Sequence, residues 1–493
     1  MKLLQTLTLG TSRQPLSQEA KDYLDLRDAV DPSADDAEKA LAAYALAERL
    51  DRLQTPTVTP PGASEPIAES RAAASPKLAR ALQLVFSETY ADVLPEAVRV
   101  LDERGLLFPP HLLPELLDYA AGTELDAPLT AGRAVRAGGN RARWLATMNP
   151  AWMMLTQRVD FPDLWKTEQS PAGKRDVLSR WRNVAPEDAR RALANWWPKQ
   201  SPKNQETLLE AVRIKLSPDD LPWLRAQFGP KRKGVRRALL KLLLLGRDLT
   251  VSEEITNVAV RSLDERGKFI AALTDPADKD LLQRYGGLRS KESIGEFVLE
   301  ALPPVTLPDL LGQTYAEYWA GLNKRELKAA AVAILDYEDA DAGGEFLAFA
   351  LRARRENLPL TELSQITKSL PTPLFNSVYH RLMDEEKDSF HSGSVAPLLA
   401  VLRDESWSER ISKAFVLSLV AGLREGRSLP FGAARQQSEL WKRAIPLVHV
   451  ATFAFLRQHL HAMTERPDQF GKLSLEMLQT TAFRRVLYDE SAK

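Results

Sequence analysis

Histidine is the side chain best suited to hold a metal or carry a proton near neutral pH, and this sequence has six: His111, His380, His391, His449, His459 and His461. None falls into the His-x-x-x-His or His-Glu-x-x-His spacing that puts two ligands on one helical face. His459 and His461 are two apart on an expected helix, so they point about 200° apart and cannot share a metal. There is no cysteine, which removes thiolate metal sites, iron–sulfur ligation, disulfides and a cysteine nucleophile together. The run Asp336-Tyr-Glu-Asp-Ala-Asp-Ala-Gly-Gly gathers four acids and reads as a turn. It lacks the glycine and glutamate positions of a calcium loop. Gly138-Gly139 runs into Asn140-Arg141 without the Lys-Ser/Thr of a phosphate loop, and no Gly-x-Ser-x-Gly elbow occurs. The sequence therefore predicts no catalytic centre, no metal and no cofactor. An enzyme would need scattered side chains to assemble in space.

Binding chemistry is better represented. Arg133, Arg136, Arg141 and Arg143 surround Gly138-Gly139-Asn140, and Trp144, Asn149, Pro150 and Trp152 follow at once. Seven of the ten tryptophans lie between Trp144 and Trp223. Arginine beside tryptophan can anchor a protein interface or grip phosphate and stack on bases. It can equally belong to a core whose arginines cap and pair at its edge. A second basic group, Lys231, Arg232, Lys233, Arg236 and Arg237, opens a later helix. These two groups, with Trp144, Asn149 and Trp152, are the candidate partner-binding residues. Net charge is zero but uneven: residues 1–130 carry −9, residues 131–250 carry +13 and residues 251–493 carry −4. A basic middle either pairs with its own acidic flanks or faces an anionic partner.

The elements that must position these residues read as helices throughout. Asp35–Leu53 is Ala- and Leu-rich, with Ser33 placed as its cap. Residues 55–75, with four prolines among them, read as an exposed linker or long loop. From Pro76 onward apolar residues recur at spacings of three and four, and no alternating strand pattern is evident. Ser170-Pro171, Ser201-Pro202 and Ser217-Pro218 each announce a helix, serine as N-cap and proline in the first turn. Short helices follow in tandem: Lys174–Val184, Pro186–Trp197, Lys203–Leu216, Pro218–Phe228 and Lys233–Leu245. The last carries a Val-Arg pair, a small residue and then Leu-Leu, like the second helix of a HEAT repeat. Later helices are expected over Lys324–Leu335, Gly344–Arg355, Leu374–Met383, Trp407–Arg424 and Leu473–Leu487. The fold predicted is all-α: a HEAT-like α-solenoid of stacked helical hairpins, with a helical bundle left open for the C-terminal half. Its parts are 1–54, a helical segment; 55–75, the linker; 76–250, the Trp/Arg-rich HEAT-like domain; and 251–493, a repeat or bundle domain. The most apolar stretch, Ala444–Leu456, falls short of the roughly 20 residues a membrane span needs and reads as a buried core helix. No signal peptide is evident at the start, so a cytoplasmic, membrane-free protein is expected.

The stretch Gly139-Asn-Arg-Ala-Arg-Trp-Leu-Ala-Thr-Met-Asn-Pro-Ala-Trp resembles the hallmark of an uncharacterised bacterial family, roughly Gly-x-Arg-x-x-Trp-Leu-x-x-x-Asn-Pro-x-Trp. Lys231-Arg-Lys-Gly-Val-Arg and the early Leu7-Thr-Leu-Gly-Thr fit its course. The resemblance implies HEAT-like repeats and genes near MoxR-type AAA+ ATPases, von Willebrand factor A-domain proteins and SWIM zinc-finger proteins. It implies no activity and no catalytic residues. The function expected is a non-enzymatic adaptor that binds another protein, such as an AAA+ ATPase or a von Willebrand A-domain protein. The alternative is nucleic-acid binding along 131–250.

Overall fold

The computed structural model of the chain describes residues 6–7, 9–13, 15–17, 34–54, 68–87, 89–124, 127–155, 160–229, 232–265, 267–270, 272–273, 275–353, 355–386, 389–390, 395–424 and 431–491. Helices account for 73% of the structure, as the periodicity requires, and the chain forms two compact units, 1–66 and 67–493. In the first, helix α1 (Asp36–Gln54) sets Ala40 and Ala43 against Leu16. The cap expected at Ser33 lies outside the described residues. Asp35 does the capping, its Oδ1 accepting from the Ala37 and Glu38 amides at 2.9 and 2.8 Å.

The second unit opens with α2 (Pro76–Val85), α3 (Leu94–Arg104), α4 (Leu113–Thr123) and α5 (Pro128–Ala146). The repeat array follows: α6 (Phe161–Thr167), α7 (Pro171–Val184), α8 (Pro186–Trp196), α9 (Pro202–Val212), α10 (Leu221–Ala226), α11 (Lys233–Leu245) and α12 (Leu249–Arg261). It continues as α13 (Pro276–Arg284), α14 (Ile294–Ala301), α15 (Thr306–Leu311), α16 (Tyr315–Ala320), α17 (Lys324–Tyr337), α18 (Ala340–Arg352) and α19 (Leu360–Ser369). Last come α20 (Thr372–Glu385), α21 (Ala396–Ala400), α22 (Glu409–Arg424), α23 (Phe431–Ala444), α24 (Phe453–Thr464) and α25 (Gln469–Ser491).

The Ser-Pro starts behave as capping chemistry demands. Ser170 Oγ accepts from the Gly173 amide at 3.0 Å, and Ser201 Oγ from the Asn204 amide at 3.3 Å. At Ser217 a short 3-10 turn intervenes, and Asp220 Oδ2 accepts from the Ser217 amide at 3.0 Å. Two expected elements differ. Ala444–Leu456 is no single helix: the chain turns through Ile445–His449 around Pro446 before α24 begins, since proline lacks the amide a helix interior requires. The acidic run is a turn only at Glu338 and Asp339: Asp336 and Tyr337 close α17, and the Asp339 carboxylate caps the Ala342 amide at 2.9 Å. From Ala340 it is helix, and Gly343 and Gly344 lie buried against Leu370 and Leu374.

Helices α7, α9, α11, α14, α17, α19 and α21 each touch the next and make one row; α16, α18, α20, α22 and α24 make a second behind it. This is how a solenoid stacks hairpins. One buried core runs through it from Phe161 to Met477, continuous across residue 250. The first row is curved. Arg213, just past α9, bonds Asp336 at the end of α17, three helices further along, at 3.1 Å. Its face therefore lines the concave side.

A smaller core joins α2–α5, and Leu487 of α25 completes it. Phe483 stacks on Tyr90 with centroids 4.0 Å apart. Arg484, fully buried, donates to Glu96 of α3 (2.5 and 2.9 Å) and to the Val448 and Ser406 oxygens. At the other end of the array, Arg180 of α7 meets Glu124 at 2.9 Å and the Met154 sulfur at 3.1 Å. The opening helices of this unit thus touch both the first repeat and the last helix, and the contacts run as a closed circuit.

Candidate binding surface

The arginine- and tryptophan-rich segment lies on α5, and Gly139 decides its shape. At φ 69° and ψ −160° Gly139 leaves the helix, so α5 is two helical stretches meeting at a kink. The kink exposes a new set of free amides, and a distant segment fills them. Glu69 Oε1 accepts from the Arg141 amide at 2.7 Å, and Asn140 Nδ2 donates to the Ala68 carbonyl at 3.2 Å. A Cβ at Gly139 would sit 2.6 Å from the Glu69 carboxylate. The strap then runs on as a two-residue strand, β1 (Ala72–Ala73), parallel to β2 (Leu106–Leu107). Arg71 donates to the Arg136 carbonyl at 3.2 Å. The end of the expected linker is thus a fixed strap; residues 55–67 lie outside the described residues.

The remaining candidates scatter. Arg136 forms a bidentate pair with Asp102 at 3.0 and 2.6 Å. Trp152 donates its indole N–H to Asp118 at 2.7 Å, and Asn149 Oδ1 accepts from the Ala151 amide at 3.0 Å. Trp144 is half-buried; Arg141 and Arg143 are exposed and Arg133 is partly so. Arg232 and Lys233 are exposed at the start of α11, Arg236 is half-buried, and Lys231 lies outside the described residues. Arg237 turns inward, holding Glu292 at 2.8 and 2.8 Å above the Phe297 ring. The 133–143 arginines sit on the helix that closes the small core, the 232–237 group on a helix of the large one.

The tryptophans pack the first repeats. Trp165, Trp181 and Trp197 are buried, with Trp165 against Trp196 and Trp197 against Trp223 at centroid distances of 5.6 and 5.4 Å. Lys174 is buried over Trp165, its ammonium on the Trp165 carbonyl, and burial pushes its pKa down. Five cations of 131–250 meet acids of the two flanks: Arg136 on Asp102 and Arg180 on Glu124 before it, Arg237 on Glu292 and Arg213 and Lys241 on Asp336 after it.

The surface that sequence reasoning missed lies on the concave row. Between α9, α11 and α14 a groove of about 660 Å³ opens, within the range of ligand and peptide pockets. Leu209, Ala238, Leu244 and Phe297 line its floor; Glu206, Glu210, Arg213, Arg237, Lys241, Arg289 and Glu300 stand on its walls. The wall cations are tied across the repeats: Arg213 and Lys241 to Asp336, Arg237 to Glu292, and Arg289 to Glu300 at 3.0 Å. No sequence signal marks the groove as a unit, because three helices separated by loops each supply one strip of it. A smaller apolar groove of about 280 Å³ lies along α19, α21 and α23, lined by Leu360, Val395, Leu398 and Leu440.

His380 Nε2 and Ser408 Oγ are 2.8 Å apart. That hydroxyl also accepts from the Ile411 amide at 3.3 Å at the start of α22, and neither groove reaches it. Among the described residues no three acidic or histidine side chains assemble as a metal-ligand set, and no helix is long and apolar enough to cross a membrane.

The chain belongs to a family of unknown function (DUF5691). The family model matches residues 2–491, nearly the whole chain. No match was found among curated proteins or among solved structures.

Proposed function

We propose that this member of the family is a non-enzymatic helical-repeat scaffold that binds another protein along its concave row. The observation that carries the reading is the groove between α9, α11 and α14, with an apolar floor and charged walls. Interfaces of this kind bury apolar side chains at the centre and leave polar groups at the rim. A curved row of helices offers such a strip over several repeats. The partner class that fits the family resemblance is an AAA+ ATPase or a von Willebrand A-domain protein.

The test is purification of the tagged chain from its native cells with and without nuclease treatment, beside the Ala238→Tyr variant. Ala238 is half-buried on the groove floor, so tyrosine fills the groove without entering the core. A protein partner that survives nuclease and is lost with the variant supports the reading. A partner held equally by the variant overturns it. Recovery of nucleic acid alone, lost at moderate salt, would move the exposed arginines of α5 and α11 to the front.

A further inference from the structure

We infer that the groove between α9, α11 and α14 takes a basic, leucine-bearing peptide segment, although two of its three helices lie in the basic segment 131–250; the inference rests on the scaffold reading above. The charges on its walls do not balance. The four cations, Arg213, Arg237, Lys241 and Arg289, are met by Asp336, Glu338, Glu292 and Glu300. Glu206 and Glu210 of α9 remain. Among the described residues Glu206 has no ion-pair partner, and Glu210 reaches only Arg175, at 3.3 Å on the far side. Arg175 is itself shared with Asp176.

The two carboxylates are four residues apart on α9, so they project from one face, one turn from each other. Glu206 lies against the first turn of α11, where its Oε1 would be 2.1 Å from a Cβ at Gly234. A residue without a side chain at 234 leaves it room to lie there. The groove thus offers two carboxylates about a helical turn apart beside a floor of leucine, alanine and phenylalanine. Its own cations are already neutralised, so an acidic ligand would have to break inter-repeat ion pairs to be received. A guanidinium or ammonium paired with Glu206 breaks none, and one on Glu210 shares that carboxylate with the exposed Arg175 pair. Neighbouring leucine side chains would fill the floor. Charge complementarity of this kind selects partners and fixes register.

The experiment uses the full chain and two labelled nonapeptides, one alternating leucine with arginine, the other alternating leucine with glutamate, read by fluorescence anisotropy at moderate salt. The basic peptide is expected to bind and the acidic one not. Glu206→Gln with Glu210→Gln should weaken the basic peptide about three- to thirtyfold, the worth of two partly exposed ion pairs. The control pair Glu187→Gln with Asp219→Asn, exposed and outside the groove, should leave binding unchanged. Circular dichroism confirms that both double variants are folded. Tighter binding of the acidic peptide, no binding of the basic one, or equal losses in the two double variants overturns the inference. The two readings fail separately. A partner lost with Ala238→Tyr but kept by Glu206→Gln with Glu210→Gln preserves the scaffold and removes the basic segment; a partner kept by both removes both.

Discussion

At the scale of single residues, Gly139 and His449 do things their types alone do not announce. Gly139 holds φ near +69°, with the Glu69 carboxylate where a Cβ would go. Gly139→Ala should therefore cost about 1–3 kcal/mol in a denaturant melt, and Glu69→Gln only about 1 kcal/mol, because an amide oxygen still caps the Arg141 amide. An alanine variant as stable as the parent would mean that the kink is not built this way. His449 accepts from the Ala451 amide through Nδ1 at 3.2 Å, which requires the neutral ring. Burial pushes its pKa down from the ordinary 6.5. A folded-state pKa below the unfolded one means that the unfolded chain binds more protons, so stability is full above about pH 6.5 and falls as pH drops through that value. His449→Asn keeps an acceptor and loses the titration. Between pH 7.5 and 5.5 it should lose less stability than the parent, as urea melts at the two values will report.

At the scale of elements, helix starts were legible and helix partners were not. The Ser-Pro pairs could be read because a cap bonds within its own first turn. The expected Lys233–Leu245 helix has the bounds found in the structure, because its apolar stripe faces one core. The cap of the second half of α5 could not be read, since Glu69 lies in a proline-rich stretch far upstream. Arg182 shows the same limit. In sequence it is one arginine among many; in the fold it is 1% exposed, bidentate to Asp220 at 3.2 and 2.8 Å and bonded to the Ile214 and Lys215 carbonyls. It ties α7 to the turn before α10. Arg182→Met leaves Asp220 buried with Arg190 at 3.3 Å as its one cation, beside the Ser217 amide at 3.0 Å, and should cost about 3–5 kcal/mol. A melt within 1 kcal/mol of the parent, by the about 1.4 kcal/mol-per-decade scale, would contradict that role. The candidate site had the same difficulty: residue types named arginines and tryptophans, but burial and pairing decide which are spent on the fold.

At the scale of the whole second unit, α25 carries an obligation to both cores. It completes the large core with Phe470, Leu473 and Met477 and the small one with Leu487. Burial pushes the Glu96 carboxyl up, yet the Arg484 guanidinium and the Tyr488 hydroxyl outweigh it and hold it below the usual carboxylate range. A chain ending at Arg466 should therefore lose hydrogen-exchange protection in α2–α5 as well as in α23 and α24, although α2–α5 are remote in sequence. Protection retained in α2–α5 would show that they fold without the return helix.

That circuit also has a meaning in time. A linear repeat array can settle behind the ribosome one hairpin after another. Here Tyr90 and Glu96 leave the ribosome early, but the Phe483 ring and the Arg484 guanidinium they pair with are made more than three hundred residues later. At ordinary synthesis rates that is a delay of tens of seconds, during which a half-finished apolar surface faces a crowded cell. The nascent chain is thus a natural client for a chaperone that shields its early helices until the last one arrives.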